Sequence, residues 1–229
     1  MKDIVLFDMG GTLAAHFGPG GFMEAREQGI SAAAGILRLR RSPVPTKDEV
    51  SRAVKEEDYE APDFSVRPLR NRLANIFRLT ASDDISPHLC RAFMVPIFAF
   101  GRCYDDVFPT LRELRPKGLR AAIVSNAIWG TPGDLWREEM TRLGFSDWMD
   151  EIVFCTDCGW RKPDRRIYDY TLEKLRARPE QCLFVGDDPT CDVAGPRAVG
   201  IEAVLLDRGG QSQSNEDAIH SLNEIWRVL

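Results

Sequence analysis

The chain has 229 residues, 44% of them hydrophobic and 28% charged, with a formal net charge of -5. That length fits one α/β domain or a core carrying a large insertion, and the apolar share excludes a disordered chain. The negative balance argues against nucleic acid, whose binding needs cations to displace counterions, and no apolar run reaches the ~20 residues that span a bilayer, so neither is expected as a partner.

Ile4–Phe7 is apolar on both faces, as a strand buried in a parallel sheet must be. Asp3 and Asp8 bracket it, which is not the layout of a signal peptide, and a cytoplasmic location is expected. Gly18, Pro19, Gly20 and Gly21 then break the chain, and helical periodicity runs through Phe22–Leu39, Thr46 to about Tyr59, Pro68–Leu79 and Ser86–Phe100. Thr46 with Glu49 makes a capping box, and Arg38, Arg40 and Arg41 read as the solvated positive end of a helix. Gly101 marks a return, and Tyr104–Leu114 is a helix leading to a second strand, Ala121–Val124. Strands at Ile152–Phe154, Cys182–Val185 and Ala203–Leu206 follow, alternating with helices at Asp134–Leu143, Arg165–Leu175 and Asp192–Val199. Gly209–Asn215 reads as a loop before a final helix.

The class expected is therefore α/β: a Rossmann-like, doubly wound parallel sheet with an inserted helical cap. More than a hundred residues separate the first two strands, too many for a crossover, so residues 1–18 and 102–229 are assigned to the core and 19–101 to the cap. Glycines at both crossings would let such a cap open and close. The six cysteines (Cys90, Cys103, Cys155, Cys158, Cys182 and Cys191) have no secreted context and are expected as free thiols. Cys155 and Cys158 form a CxxC with no second pair of ligands, which makes packing the ordinary reading.

Ligands of an open parallel sheet bind beyond the carboxyl ends of its strands. Asp8, Gly10, Gly11 and Thr12 follow the first strand, Ser125 and Asn126 the second, Lys162 the third, and Asp187, Asp188 and Asp192 the fourth. Carboxylates, a hydroxyl and an ammonium thus converge from separate strand ends, which suits a carboxylate nucleophile and its charge partners.

The segments FDMGGTL (Phe7–Leu13), VSN (Val124–Asn126), RKPD (Arg161–Asp164) and GDDPTCD (Gly186–Asp192), in that order, make the chain resemble haloacid dehalogenase-type phosphatases. The resemblance implies Mg²⁺ held by Asp8, the Gly10 carbonyl and Asp187, with Asp188 and Asp192 assisting. It further implies Asp8 as the nucleophile toward a small phosphorylated substrate, Lys162 neutralising the transferring group, and Ser125, Asn126 and the amides of Gly11 and Thr12 receiving its oxygens.

The chain departs from that pattern at Gly10, where the phosphatase branch carries an aspartate acting as general acid and base. Proton transfer of that kind is worth ~10² to 10⁴-fold, so substrates with activated leaving groups are expected. His16 is a candidate substitute donor, against the ordinary reading of an exposed loop histidine. Two alternatives stand beside this one: a catalytically weak member that binds a phospho-ligand or a protein, and a hydrolase of carbon–phosphorus or carbon–halogen bonds. For a phosphonate hydrolase, Lys47 and Lys55 are candidates by region. Phe22, Glu24, Arg26 and Glu27 are the cap residues considered for facing the site, while Trp129, Trp136 and Trp160 near the motifs read first as packing.

Overall fold

A computed structural model describes residues 2–18, 20–80, 85–210 and 218–229. Its strands are β1 Ile4–Phe7, β2 Ala14–Ala15, β3 Arg102–Cys103, β4 Arg120–Ser125, β5 Glu151–Phe154, β6 Cys182–Gly186 and β7 Glu202–Leu205. Its helices are α1 Gly21–Leu39, α2 Lys47–Glu57, α3 Leu69–Phe77, α4 Ser86–Phe98, α5 Val107–Leu114, α6 Gly133–Arg142, α7 Cys155–Cys158, α8 Arg165–Leu175 and α9 Gly195–Ala198.

Five strands form one parallel sheet in the order β5-β4-β1-β6-β7. Val5, Leu6 and Phe7 are fully buried because β1 is the central strand, covered on both faces. The chain leaves β1 between β4 and β6, at the point where the winding of the sheet reverses, and the residue at that point is Asp8.

Helices α1–α4 lie between β2 and β3 in sequence. The two short strands pair antiparallel, Ala14 with Cys103 and Ala15 with Arg102, so the chain enters and leaves the helical insert through one clasp. A second attachment lies elsewhere. Val66 donates its amide to the Gly159 carbonyl at 2.9 Å, and Arg161 donates to the Phe64 carbonyl at 2.8 Å, so residues 64–66 run against the segment that carries Lys162.

Trp129, in the loop after β4, closes that attachment. Its ring stacks on Phe93 of α4 at 5.5 Å, with the guanidinium groups of Arg26 and Arg72 at 5.5 and 5.0 Å from the indole centroid. The residue adopts φ 55, a left-handed conformation that costs about 1–2 kcal/mol for a side chain of this bulk. Burial of the indole to 4% exposure is worth roughly 4 kcal/mol, so packing outweighs backbone preference here. Gly130 follows with φ +67, and a Cβ there would overlap the Arg67 carbonyl.

Several expectations need correction. The helix placed at Asp192–Val199 is a wide π-type turn, Pro189–Ala194, followed by the single turn α9, because Pro189 can open the turn and Pro196 can offer no N–H to a continuous α-helix. The final helix is a 3-10 segment, Leu222–Arg227, and most of the loop assigned to Gly209–Asn215 lies outside the described residues. Helix α4 ends at Phe98 and α5 begins only at Val107. All six cysteines are free, and burial pushes the Cys155 thiol up to about 12. Among the described residues no helix is long and apolar enough to cross a membrane.

Candidate active site

The Asp8 carboxylate sits buried at the end of β1, where its amide still bonds the Val185 carbonyl of β6 at 2.9 Å. Ser125 Oγ, at the end of β4, donates to Asp8 Oδ1 at 2.9 Å, and Lys162 Nζ donates to the same oxygen at 2.6 Å. Asp8 Oδ2 takes neither bond. One oxygen is thereby fixed in place while the other is left for chemistry.

Lys162 is 2% exposed and also donates to the Val124 carbonyl at 2.9 Å and to Asp192 Oδ1 at 2.7 Å. Burial works against its charge, yet the carboxylates of Asp8 and Asp192 more than offset that, and its pKa is held above the ordinary lysine value. Asn126 clamps the same segment: its Oδ1 accepts from the Lys162 amide at 2.8 Å, and its Nδ2 donates to the Lys162 carbonyl at 3.0 Å. Both ends of the Asn126 amide are thus engaged with backbone, which makes it a support for Lys162 in this arrangement.

Carboxylate oxygens of Asp8, Asp187 and Asp192 lie within 4.8 Å of one another. Desolvation of the carboxyl first, then the charges of Asp8 and Asp192, push Asp187 up to about 7, although the residue as a whole stands exposed at the rim. Clustered oxygen donors carrying excess negative charge are what a hard divalent cation requires, so this donor set fits one. Asp192 is already satisfied, accepting from Lys162 on Oδ1 and from the Asp188 amide on Oδ2 at 3.0 Å. The Asp188 carboxylate turns away from this group to cap the following turn, accepting from the amides of Thr190 and Cys191 at 2.8 and 2.7 Å.

These groups line a cleft of about 410 Å³ together with Gly10 and Gly11. Gly11 has φ +74, and a Cβ there would overlap the Asp187 carboxylate, so glycine is needed on both counts. Gly10 is different: a Cβ would meet nothing within 4 Å, and its backbone does not lie in the left-handed region. The Gly11 amide donates to the Ala14 carbonyl at 3.1 Å, and Thr12 is fully buried and does not line the cleft.

His16 lines the cleft but is 3% exposed, with its ring edge-on to Trp136 at 5.0 Å and 3.5 Å from Glu139 Oε1. Burial pushes its pKa down to about 4, so at neutral pH the ring is uncharged, and the reading as a surface loop histidine is corrected. Of the cap residues considered, Phe22, Glu24, Arg26 and Glu27 do not line the cleft. Arg26 instead pairs with Asp58, and Phe22 packs against Phe17 and Trp129. Lys47 and Lys55 are exposed on α2 and likewise away from the cleft. Trp136 lines it, and Trp160 lies outside it beneath the Arg166 guanidinium. Sequence reasoning passed over Met9, Phe17, Tyr104, Ile128 and Cys191, which also line the cleft. Phe17 and Tyr104 carried one usable signal, since each stands within three residues of a glycine that marks a crossing, Gly18 and Gly101.

The model of the haloacid dehalogenase-like hydrolases matches residues 2–200, and the chain belongs to that family. It is 32% identical over 119 residues to ribulose-1,5-bisphosphate 5-phosphatase of Halopiger xanaduensis, covering 52% of this chain and 48% of that protein. Over 130 residues it is 32% identical to glyceraldehyde 3-phosphate phosphatase of Methanopyrus kandleri, covering 55% and 54%. The matches span about half the length of these curated relatives. Among solved structures, a HAD phosphatase from Thermococcus onnurineus superposes with a TM-score of 0.67 at 26% identity, covering 100% of this chain and 97% of that one.

Proposed function

We propose that the chain is a cytoplasmic, Mg²⁺-dependent phosphohydrolase that passes the phosphoryl group of a small phosphorylated metabolite to Asp8 and then to water, favouring activated leaving groups. The observation that carries this reading is the convergence of Ser125 and Lys162 on one oxygen of Asp8, beside carboxylates suited to a divalent ion. The phosphatase names of its relatives support the substrate class.

On this reading Asp8 Oδ2 attacks phosphorus, the bond to the leaving oxygen breaks with its electron pair, and water then releases phosphate from Asp8. Lys162 and Ser125 orient the nucleophile and meet the negative charge of the transferring group, while Asp192 and Asn126 hold Lys162. Asp8, the Gly10 carbonyl and Asp187 would hold Mg²⁺, with Asp188 and Asp192 behind them. The ion would supply charge compensation between two anions. Gly10 offers no proton to the departing oxygen and His16 is held neutral, so the leaving group must be stable as an anion.

The test is turnover of acetyl phosphate, an aryl phosphate and several alkyl monophosphates with Mg²⁺, for the native protein, Asp8→Asn and Gly10→Asp. The expected pattern is hydrolysis of the activated compounds, its loss in Asp8→Asn, and a wider range in Gly10→Asp. Native protein that binds Mg²⁺ yet turns over none of them, or activity that survives Asp8→Asn, would sink the proposal.

A further inference from the structure

The walls of the cleft that do not hold charge are apolar or aromatic: Met9, Phe17, Tyr104, Ile128 and Trp136. Trp136 is 1% exposed and its indole N–H is already spent on Thr131 Oγ1 at 2.8 Å, so it backs the wall, and the accessible apolar surface comes from Phe17, Tyr104 and Ile128. Every lysine, arginine and histidine of the chain falls within the described residues, and Lys162 is the one lysine or arginine that lines the cleft. It is fully engaged with Asp8 and Asp192. Arg208 comes near, its guanidinium 4.1 Å from the Tyr104 ring centroid, but it is bound to Asp106 at 2.8 and 2.9 Å and to the Thr12 carbonyl. His16, the remaining basic side chain of the wall, is uncharged at neutral pH.

A second phosphate entering this cleft, beyond the one met by Lys162 and the proposed ion, would find no free cationic side chain, while Asp8, Asp187 and Asp192 bring carboxylates to the same wall. Desolvating such a group without a partner is costly. A flat apolar leaving group, by contrast, gains from burial against these walls and finds open space beside Gly10 where a side chain would otherwise project. The same absence of a general acid selects for an oxygen whose anion is stabilised by a ring.

We propose that the cleft is built for aryl monophosphates or comparably flat, apolar monophosphates, and that it turns away substrates bearing a second phosphate. This rests on the phosphohydrolase reading and narrows it.

Equilibrium binding to Asp8→Asn in the presence of Mg²⁺, followed by calorimetry, tests the idea with inorganic phosphate, phenyl phosphate and ribulose 1,5-bisphosphate. Phenyl phosphate is expected to bind about tenfold or more tightly than the bisphosphate, a gap of about 1.4 kcal/mol. Added to Asp8→Asn, Ile128→Ala should weaken phenyl phosphate severalfold while leaving inorganic phosphate within about twofold, and Phe17→Arg, a change at a partly exposed position, should raise affinity for the bisphosphate. Equal or tighter binding of the bisphosphate by Asp8→Asn overturns this inference alone. Failure to bind inorganic phosphate at all overturns the phosphohydrolase reading and this inference with it.

Discussion

At the scale of single residues, two adjacent glycines after Asp8 have opposite meanings. Gly10→Asp puts a carboxyl into open space on a backbone that accepts any residue, so we expect stability within about 0.5 kcal/mol of the native protein and roughly 10²-fold faster turnover of esters with poor leaving groups. Gly11→Ala meets a positive φ and the Asp187 carboxylate together, so it should cost more than about 1 kcal/mol and weaken metal binding, as urea midpoints and Mg²⁺ titrations would report. Lys162→Met would leave Asp8 and Asp192 facing each other without their cation. Measured in chelator at pH 8, it should lose about 3–5 kcal/mol, and part of that should return near pH 5 as the stranded carboxyls take up protons. The residues alone do not separate Asp187 from Asp188, since identical neighbours differ only in which way the turn after β6 faces each of them; only the family resemblance put Asp187 at the metal and Asp188 behind it. The structure gives Asp188 to the Thr190 and Cys191 amides and leaves Asp187 beside Asp8.

At the scale of elements, the five main strands were legible because strands covered on both faces must be continuously apolar; helix α4 shares that texture over Ala92–Phe98, and there its length and Pro96 set it apart. Helices α1 to α4 and α8 were legible from period and caps, with Thr46 and Glu49 making the capping box that their spacing predicted. The wide turn at Pro189 was missed although its local causes, Pro189, Pro196 and the Asp188 cap, stand in the sequence. The two-residue strands β2 and β3 were not legible, because each is stabilised by a partner far away in sequence. The attachment through Trp129 was illegible for the same reason: a left-handed tryptophan is disfavoured locally and is explained only by Phe93, Arg26 and Arg72 around it. Trp129→Ala should therefore cost about 3–5 kcal/mol and speed proteolysis of residues 58–68 more than that of the sheet, a difference readable by mass spectrometry of the first fragments.

At the scale of the whole molecule, the crowded carboxylates make stability depend on pH and on divalent ions in a linked way. Asp187, raised to about 7, keeps a proton in the metal-free folded protein that the unfolded chain gives up near pH 4. Stability without metal should consequently fall as pH rises from about 4 to about 7 and level off above that, while protons compete with the ion below about 7. If Asp187 is one of the ligands, as proposed, the rise in Tm on adding Mg²⁺ is larger at pH 8 than at pH 5.5; an equal rise at both would remove Asp187 from the proposed ligands. The paired crossings β2 and β3 carry a consequence of another kind. Since Ala15 and Arg102 stand side by side, residues 16–101 depart from and rejoin the sheet at a single doorway. Any segment that replaced those residues would therefore have to keep the doorway, a seat for one indole and the edge at 64–66 that runs against the Lys162 segment, and would have to bring its own counterparts of His16 and Phe17 to the cleft.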